Sequence, residues 1–141
     1  MSGPGRGEPG SDSAGWSEGE SAHHIAQGVE LFNAGEYEAA HEEFEQVWLS
    51  TEGPDSDFCK GLVQACIALH HFRRGNLEGA ARLYTGHRRY LAAYLPRHRG
   101  IDVAAFLEEM QAVLRPVVRR VPGAEPAFDP DQRPRLRLEE G

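Results

Sequence analysis

The sequence predicts an all-α fold: a five-helix bundle built from two antiparallel, tetratricopeptide-like helical hairpins plus a C-terminal packing helix. Three observations predict it. The stretch Phe58 to Phe72, FCKGLVQACIALHHF, is apolar or small on nearly every side when wound as a helix. A helix that is apolar all round is a buried one, and this one is shorter than the roughly 20 residues that span a bilayer. Glycine stops at Gly35 and Gly75 divide the helical periodicity, each suited to the left-handed position past a helix end. The chain also echoes itself. Phe32-Asn-Ala-Gly35-Glu-Tyr37-Glu-Ala-Ala40 recurs as Phe72-Arg-Arg-Gly75-Asn-Leu77-Glu-Gly-Ala80, and Phe44 then falls on Tyr84. The period exceeds the roughly 34 residues of tetratricopeptide repeats, and a solenoid needs at least about three repeats. Two stacked antiparallel hairpins satisfy the echo equally well.

The elements follow in order. Residues 1–20 are rich in Gly, Ser and Glu with one Trp16, a composition that buries nothing and predicts a disordered tail. The all-α domain is expected over residues 21–121, with Ser21 as first N-cap and His23 and His24 exposed in the opening turn. Helix one carries Ile25, Val29 and Phe32 on one stripe. Helix two, from Glu36 to about Leu49, carries Tyr37, Ala40, Phe44, Val47 and Trp48. Gly53-Pro54 marks a loop, and Asp55 or Ser56 is placed to cap the central helix. Helix four, Leu77 to Tyr94, turns Ala80, Tyr84, His87, Leu91 and Tyr94 to one side. Pro96 to Gly100 is a turn. Asp102 caps helix five, whose Val103, Phe106, Leu107, Met110, Leu114 and Val117 follow helical spacing until Pro116 kinks or ends it. Residues 122–141 form a Pro/Arg-rich extended tail; its Phe128, Leu136 and Leu138 either cross the bundle or hang free.

Composition narrows the function classes. A net charge of −7 argues against nucleic acid and anionic lipid as partners. No run reads as a signal peptide or membrane span, so a cytoplasmic location is expected. A second copy of the chain or another protein remains open as partner. Cys59 and Cys66 lie about 10.5 Å apart along one helix, too far to bridge, and read as small core residues. Charge is also split. Between Glu30 and Asp57 there are nine acids and no Lys or Arg; between Arg73 and Arg99 there are seven arginines and one acid. Complementary pairing, within the chain or between copies, explains this directly. The competing reading is a phosphate contact through Arg88, Arg89, Arg97 and Arg99, which no nucleic-acid motif accompanies.

The chemistry-bearing residues sit on helices two and three. His41, Glu45 and Trp48 share one stripe at i, i+4 and i+7; Gln64 and His71 share another. If the two helices pack antiparallel, these groups meet across the interface, where burial demands partners or a cation. One reading is a divalent metal held by His41, Glu45 and His71, with Glu42 as base or further ligand. A second is a small-ligand pocket lined by His41, Glu42, Glu45, Trp48, Gln64 and His71. A third is a hydrogen-bond network that only fixes helix register. The spacing is not that of H-E-x-x-H zinc enzymes, because position 45 is Glu. Glu38-x-x-His41 supplies one Glu-x-x-His where a di-iron bundle needs two. His87, between Tyr84 and Leu91, reads as a core histidine.

The run Gly28-x-x-Leu31-Phe32-Asn33-x-Gly35-x-Tyr37-x-x-Ala40-His41-Glu42-x-x-Glu45-x-x-Trp48, followed by Lys60-Gly61-Leu62-Val63-Gln64-x-x-x-Ala68-x-x-His71 and Gly75-Asn76-x-x-Gly79-Ala80, resembles the domain-of-unknown-function 309 family of small bacterial and archaeal all-α proteins. The resemblance covers about residues 23–115. It implies an all-helical bundle and points to His41, Glu42, Glu45, Trp48, Gln64 and His71 as motif positions. It implies no activity.

Overall fold

The computed structural model describes residues 16–139. Five α-helices dominate: α1 Glu18–Asn33, α2 Tyr37–Ser50, α3 Pro54–Arg73, α4 Leu77–Leu91 and α5 Val103–Val118. Residues 1–15 of the expected tail lie outside the described residues. Helix α1 starts ahead of Ser21, because Ser17 and Glu20 form a capping box. Ser17 Oγ accepts from the Glu20 amide at 3.1 Å, and Glu20 Oε1 accepts from the Ser17 amide at 2.8 Å. Ser21 is buried within the helix instead. Trp16 stacks on His24 at 4.4 Å, and His24 Nδ1 lies 2.7 Å from Glu43 Oε1 of α2. That histidine is therefore half-buried and paired, not an exposed surface group.

Both hairpins turn in the same way. Gly35 and Gly75 adopt φ of +81° and +83°. The Glu36 amide donates to the Leu31 carbonyl at 2.9 Å, and the Asn76 amide to the His71 carbonyl at 2.8 Å. These are the six-to-one bonds of a Schellman turn, so the sequence echo is a repeat of turn geometry. Asn76 caps α4 through Gly79, and Asp102 caps α5 through Ala105. Helix α3 has a different start from the expected one. Gly53 precedes Pro54 at the first helical position, and neither Asp55 nor Ser56 caps it.

The expected turn over 96–100 holds a small antiparallel hairpin, β1 Arg97–His98 and β2 Ile101–Asp102, with Arg97 opposite Asp102. Its two turn residues, Arg99 and Gly100, both have positive φ (53° and 77°), the signature of a type I′ turn that matches strand twist. Strands this short leave no alternation to read.

Helix α3 lies between α2 and α4, with α1 outside α2 and α5 against α4. The Phe32 and Phe106 rings, 5.5 Å apart, close α1 onto α5. Phe58, Cys59, Leu62, Ala65, Cys66, Ala68 and Leu69 of α3 are fully buried. Burial pushes the Cys59 thiol up to about 12 and raises Cys66 as well, which keeps both un-ionised and inert. Helix-interior glycines permit the close packing. A Cβ on Gly28 would stand 2.4 Å from the Phe44 ring, and one on Gly61 2.7 Å from Leu91. The C-terminal segment crosses the bundle in extended form and buries Leu136 to 2% exposure. Among the described residues, no helix is long and apolar enough to cross a membrane.

Candidate functional site

The candidate residues fall into separate sets. On α2, His41 Nε2 lies 3.6 Å from Glu45 Oε1 one turn away, both partly exposed. Glu42 is exposed. On α3, Gln64 and His71 face α4 and not α2. Gln64 Oε1 occupies the space over Gly86, 2.1 Å from where a Cβ would sit. His71 Nδ1 contacts Asn76 Nδ2 at 3.3 Å, and its ring borders Gly79. Partial burial, and then His70, Arg82 and Arg74 nearby, hold the His71 imidazole below its ordinary pKa. The histidine that reaches α2 is its neighbour. His70 Nε2 lies 3.6 Å from Glu38 Oε2, while its buried Nδ1 has no hydrogen-bond partner.

The expected metal set of His41, Glu45 and His71 is therefore not brought together. The reason is helical phase: one residue step is a rotation of about 100°, which turns His71 to one neighbouring helix and His70 to the other. Among the described residues, no group of three His, Cys, Asp or Glu side chains is placed to hold a metal ion.

A residue outside the expected list links the three helices. Lys60 Nζ sits 5.2 Å from the centre of the Trp48 ring and 4.9 Å from that of Tyr90. It spans from α2 to α4 across the start of α3, one turn from Gln64. Rings on two sides hold an ammonium electrostatically and by shape. Among the described residues no carboxylate pairs with it. Leu49, beside Trp48, is 71% exposed. The sequence signal for the close approach of α3 and α4 is the pair of helix-interior glycines, Gly61 and Gly86. Glycine there costs about 1 kcal/mol in helix propensity and marks where α4 comes close.

A second polar cluster pins the β-hairpin. Asp55 Oδ1 lies 3.0 Å from His98 Nε2, and Asp55 Oδ2 accepts from Arg99 Nε at 3.0 Å and Nη2 at 2.8 Å. Arg99 also meets Glu18 at 2.8 Å. Burial would raise the Asp55 carboxyl, but hydrogen bonds from Arg99 and His98 outweigh it and hold it below its ordinary value. Arg97 pairs with Glu139 at 2.6 Å. Arg97 and Arg99 are thus committed to acids of the same chain. That divides the four-arginine phosphate set and supplies part of the complementary pairing expected from the charge split.

Fold and face together define a class: an all-α bundle of two stacked hairpins closed by a fifth helix, with a polar and aromatic strip along α2, α3 and α4. Residues 25–83 match the model of the family described as Domain of unknown function (DUF309), so the family resemblance is shown from α1 into α4. An uncharacterised protein of Aquifex aeolicus (strain VF5) is 34% identical over 83 residues, which is 56% of this chain and 25% of that protein. The uncharacterised protein YpuF of Bacillus subtilis (strain 168) is 36% identical over 93 residues, 60% of this chain and 51% of that protein. The chain thus spans from a quarter to about half the length of these curated relatives.

Proposed function

We propose that this chain is a protein-interaction module whose docking face is the α2–α3–α4 strip, and that Lys60 contacts an acidic group of the partner there. Trp48, Gln64 and Tyr90 shape the contact. His41 and Glu45 pair within α2, and His71 packs on Asn76 and Gly79 at the other end of α3. The observation that carries this reading is the Lys60 ammonium, held between two rings and, among the described residues, paired with no carboxylate. A half-buried ammonium with no carboxylate partner is suited to an anionic group. Two further observations support it. Leu49 offers apolar surface beside Trp48. The stretch matched in the Aquifex relative is a quarter of a longer protein, as expected of a unit used as a module.

The test is a titration of isotope-labelled full chain with a capped tri-glutamate peptide, followed by amide and indole NMR shifts. Resonances of Trp48, Lys60, Gln64 and Tyr90 are expected to move together and saturate, and Lys60→Gln to abolish the response. Shifts that follow Arg82 and Arg89 of α4 and survive Lys60→Gln would contradict the reading.

A further inference from the structure

The C-terminal segment is held as a peptide ligand is held. Pro134-Arg135-Leu136-Arg137-Leu138-Glu139 runs extended between α1, β2 and α5. The Asn33 carboxamide of α1 grips both backbone groups of one residue: Nδ2 donates to the Leu136 carbonyl at 2.8 Å, and Oδ1 accepts from the Leu136 amide at 2.8 Å. On the other side the segment adds a strand to the small hairpin. The Asp102 amide donates to the Arg137 carbonyl at 3.1 Å, the Glu139 amide donates to the Gly100 carbonyl at 2.8 Å, and Leu138 pairs with Ile101. Glu109 of α5 accepts from the Arg135 amide at 2.9 Å and pairs with the Arg137 guanidinium.

Most of these bonds go to backbone groups that any extended peptide presents, as in strand addition to a sheet edge. Side-chain selectivity comes from few places. Leu136 is buried and Leu138 half-buried, while Arg137 between them meets Glu109 and Glu139 meets Arg97. In the chain leading in from α5, Pro122, Gly123, Ala124 and Glu125 are all exposed, and Phe128, edge-on to Tyr37 and Phe72, is the anchor ahead of the slot. Two walls of the slot, β2 and α5, lie beyond residues 25–83 matched by the family model, whereas Asn33 of α1 lies within them.

We infer that the slot between α1, β2 and α5 is a groove for an extended peptide, occupied in this structure by the chain's own residues 134–139. Its exogenous ligand is a segment of another protein with the same chemistry: two leucine-like side chains flanking an arginine, followed by an acid. The tail is then a resident competitor that a partner displaces. This inference uses a different surface from the Lys60 face and stands independently of it.

The test uses the full chain and a fluorescein-labelled peptide with the sequence of residues 130–141. In the chain carrying Leu136→Ala, checked for helicity by circular dichroism, the tail is loosened and the groove opens more often. That chain is expected to bind the peptide saturably, at least about tenfold more tightly than the unaltered chain, whose groove is occupied. Adding Asn33→Ala removes two hydrogen bonds and is expected to weaken binding by roughly tenfold. A peptide carrying the Leu136→Asp change is expected not to bind. No saturable binding to the folded Leu136→Ala chain would overturn the inference. If that variant does not fold, hydrogen exchange on the unaltered chain decides. Amides of Leu136 and Glu139 exchanging well ahead of Cys66 and Leu69 show a tail that detaches from a folded bundle. Exchange of all four together, only on global unfolding, overturns it.

Discussion

At the scale of single residues, His87 is the clearest case of burial setting chemistry. It is fully buried; its Nδ1 meets the Tyr84 carbonyl, and its Nε2 has no partner. Desolvation lowers its pKa from 6.5 to about 4, Tyr84 opposing and Arg88 assisting. The native state therefore holds His87 neutral, while the unfolded chain protonates it. Its contribution is fully present above about pH 6.5 and declines as pH falls toward 4. Urea melts are expected to lose on the order of 3 kcal/mol across that window, and His87→Leu to flatten the slope. An unchanged slope in the variant would place the loss elsewhere. The carboxylate of Asp55, held below its ordinary 3.8, gives way only at lower pH. The core role of His87 was legible from its spacing with Tyr84 and Leu91. The roles of His70 and His71 were not. Both sit at the rim of a helix that is apolar all round, so periodicity alone does not tell which imidazole turns to α2. Lys60 escaped notice for a related reason: its aromatic partners lie on two other helices, and no local spacing links them.

At the scale of elements, contact between helices is set by glycines. A Cβ on Gly61 would press on Leu91 and on Tyr90 Cβ, atoms anchored in packed positions. A Cβ on Gly86 would meet only the end of the flexible Gln64 side chain. Gly61→Ala is therefore expected to destabilise by roughly 1–3 kcal/mol through overpacking. Gly86→Ala is expected to be near neutral, because a helix-propensity gain of about 1 kcal/mol offsets moving one carboxamide. Thermal melts of the two variants check this; equal losses would show that the two contacts are alike. Element order was legible because strong punctuation surrounds each helix: Gly35, Gly53-Pro54, Gly75-Asn76 and Asp102. The start of α1 was misplaced because Ser17 and Glu20 flank Gly19, within a glycine- and serine-rich run that reads as tail. The hairpin at residues 97–102 escaped because it depends on Arg99 taking a left-handed conformation.

At the scale of the whole molecule, the charge split is partly internal pairing. Asp55 from the acidic side meets Arg99 from the basic side, Glu18 of α1 joins them, and His24 with Glu43 ties α1 to α2. The tail adds a further layer through Leu136, Asn33 and Glu109. Composition carries the first of these arrangements; the second depends on backbone bonds that no residue pattern reports. The polar residues of α2 and α3 are two separate neighbourhoods, His41 with Glu45 on α2 and Gln64 with His71 against α4, and not one shared pocket. A double-mutant cycle on His41→Ala and His71→Ala, read by urea melts, tests this most directly. Groups without a common partner are expected to add, with a coupling energy within about 0.5 kcal/mol of zero. A coupling of about 1 kcal/mol or more would mean that the two histidines share a site after all, and would contradict the account.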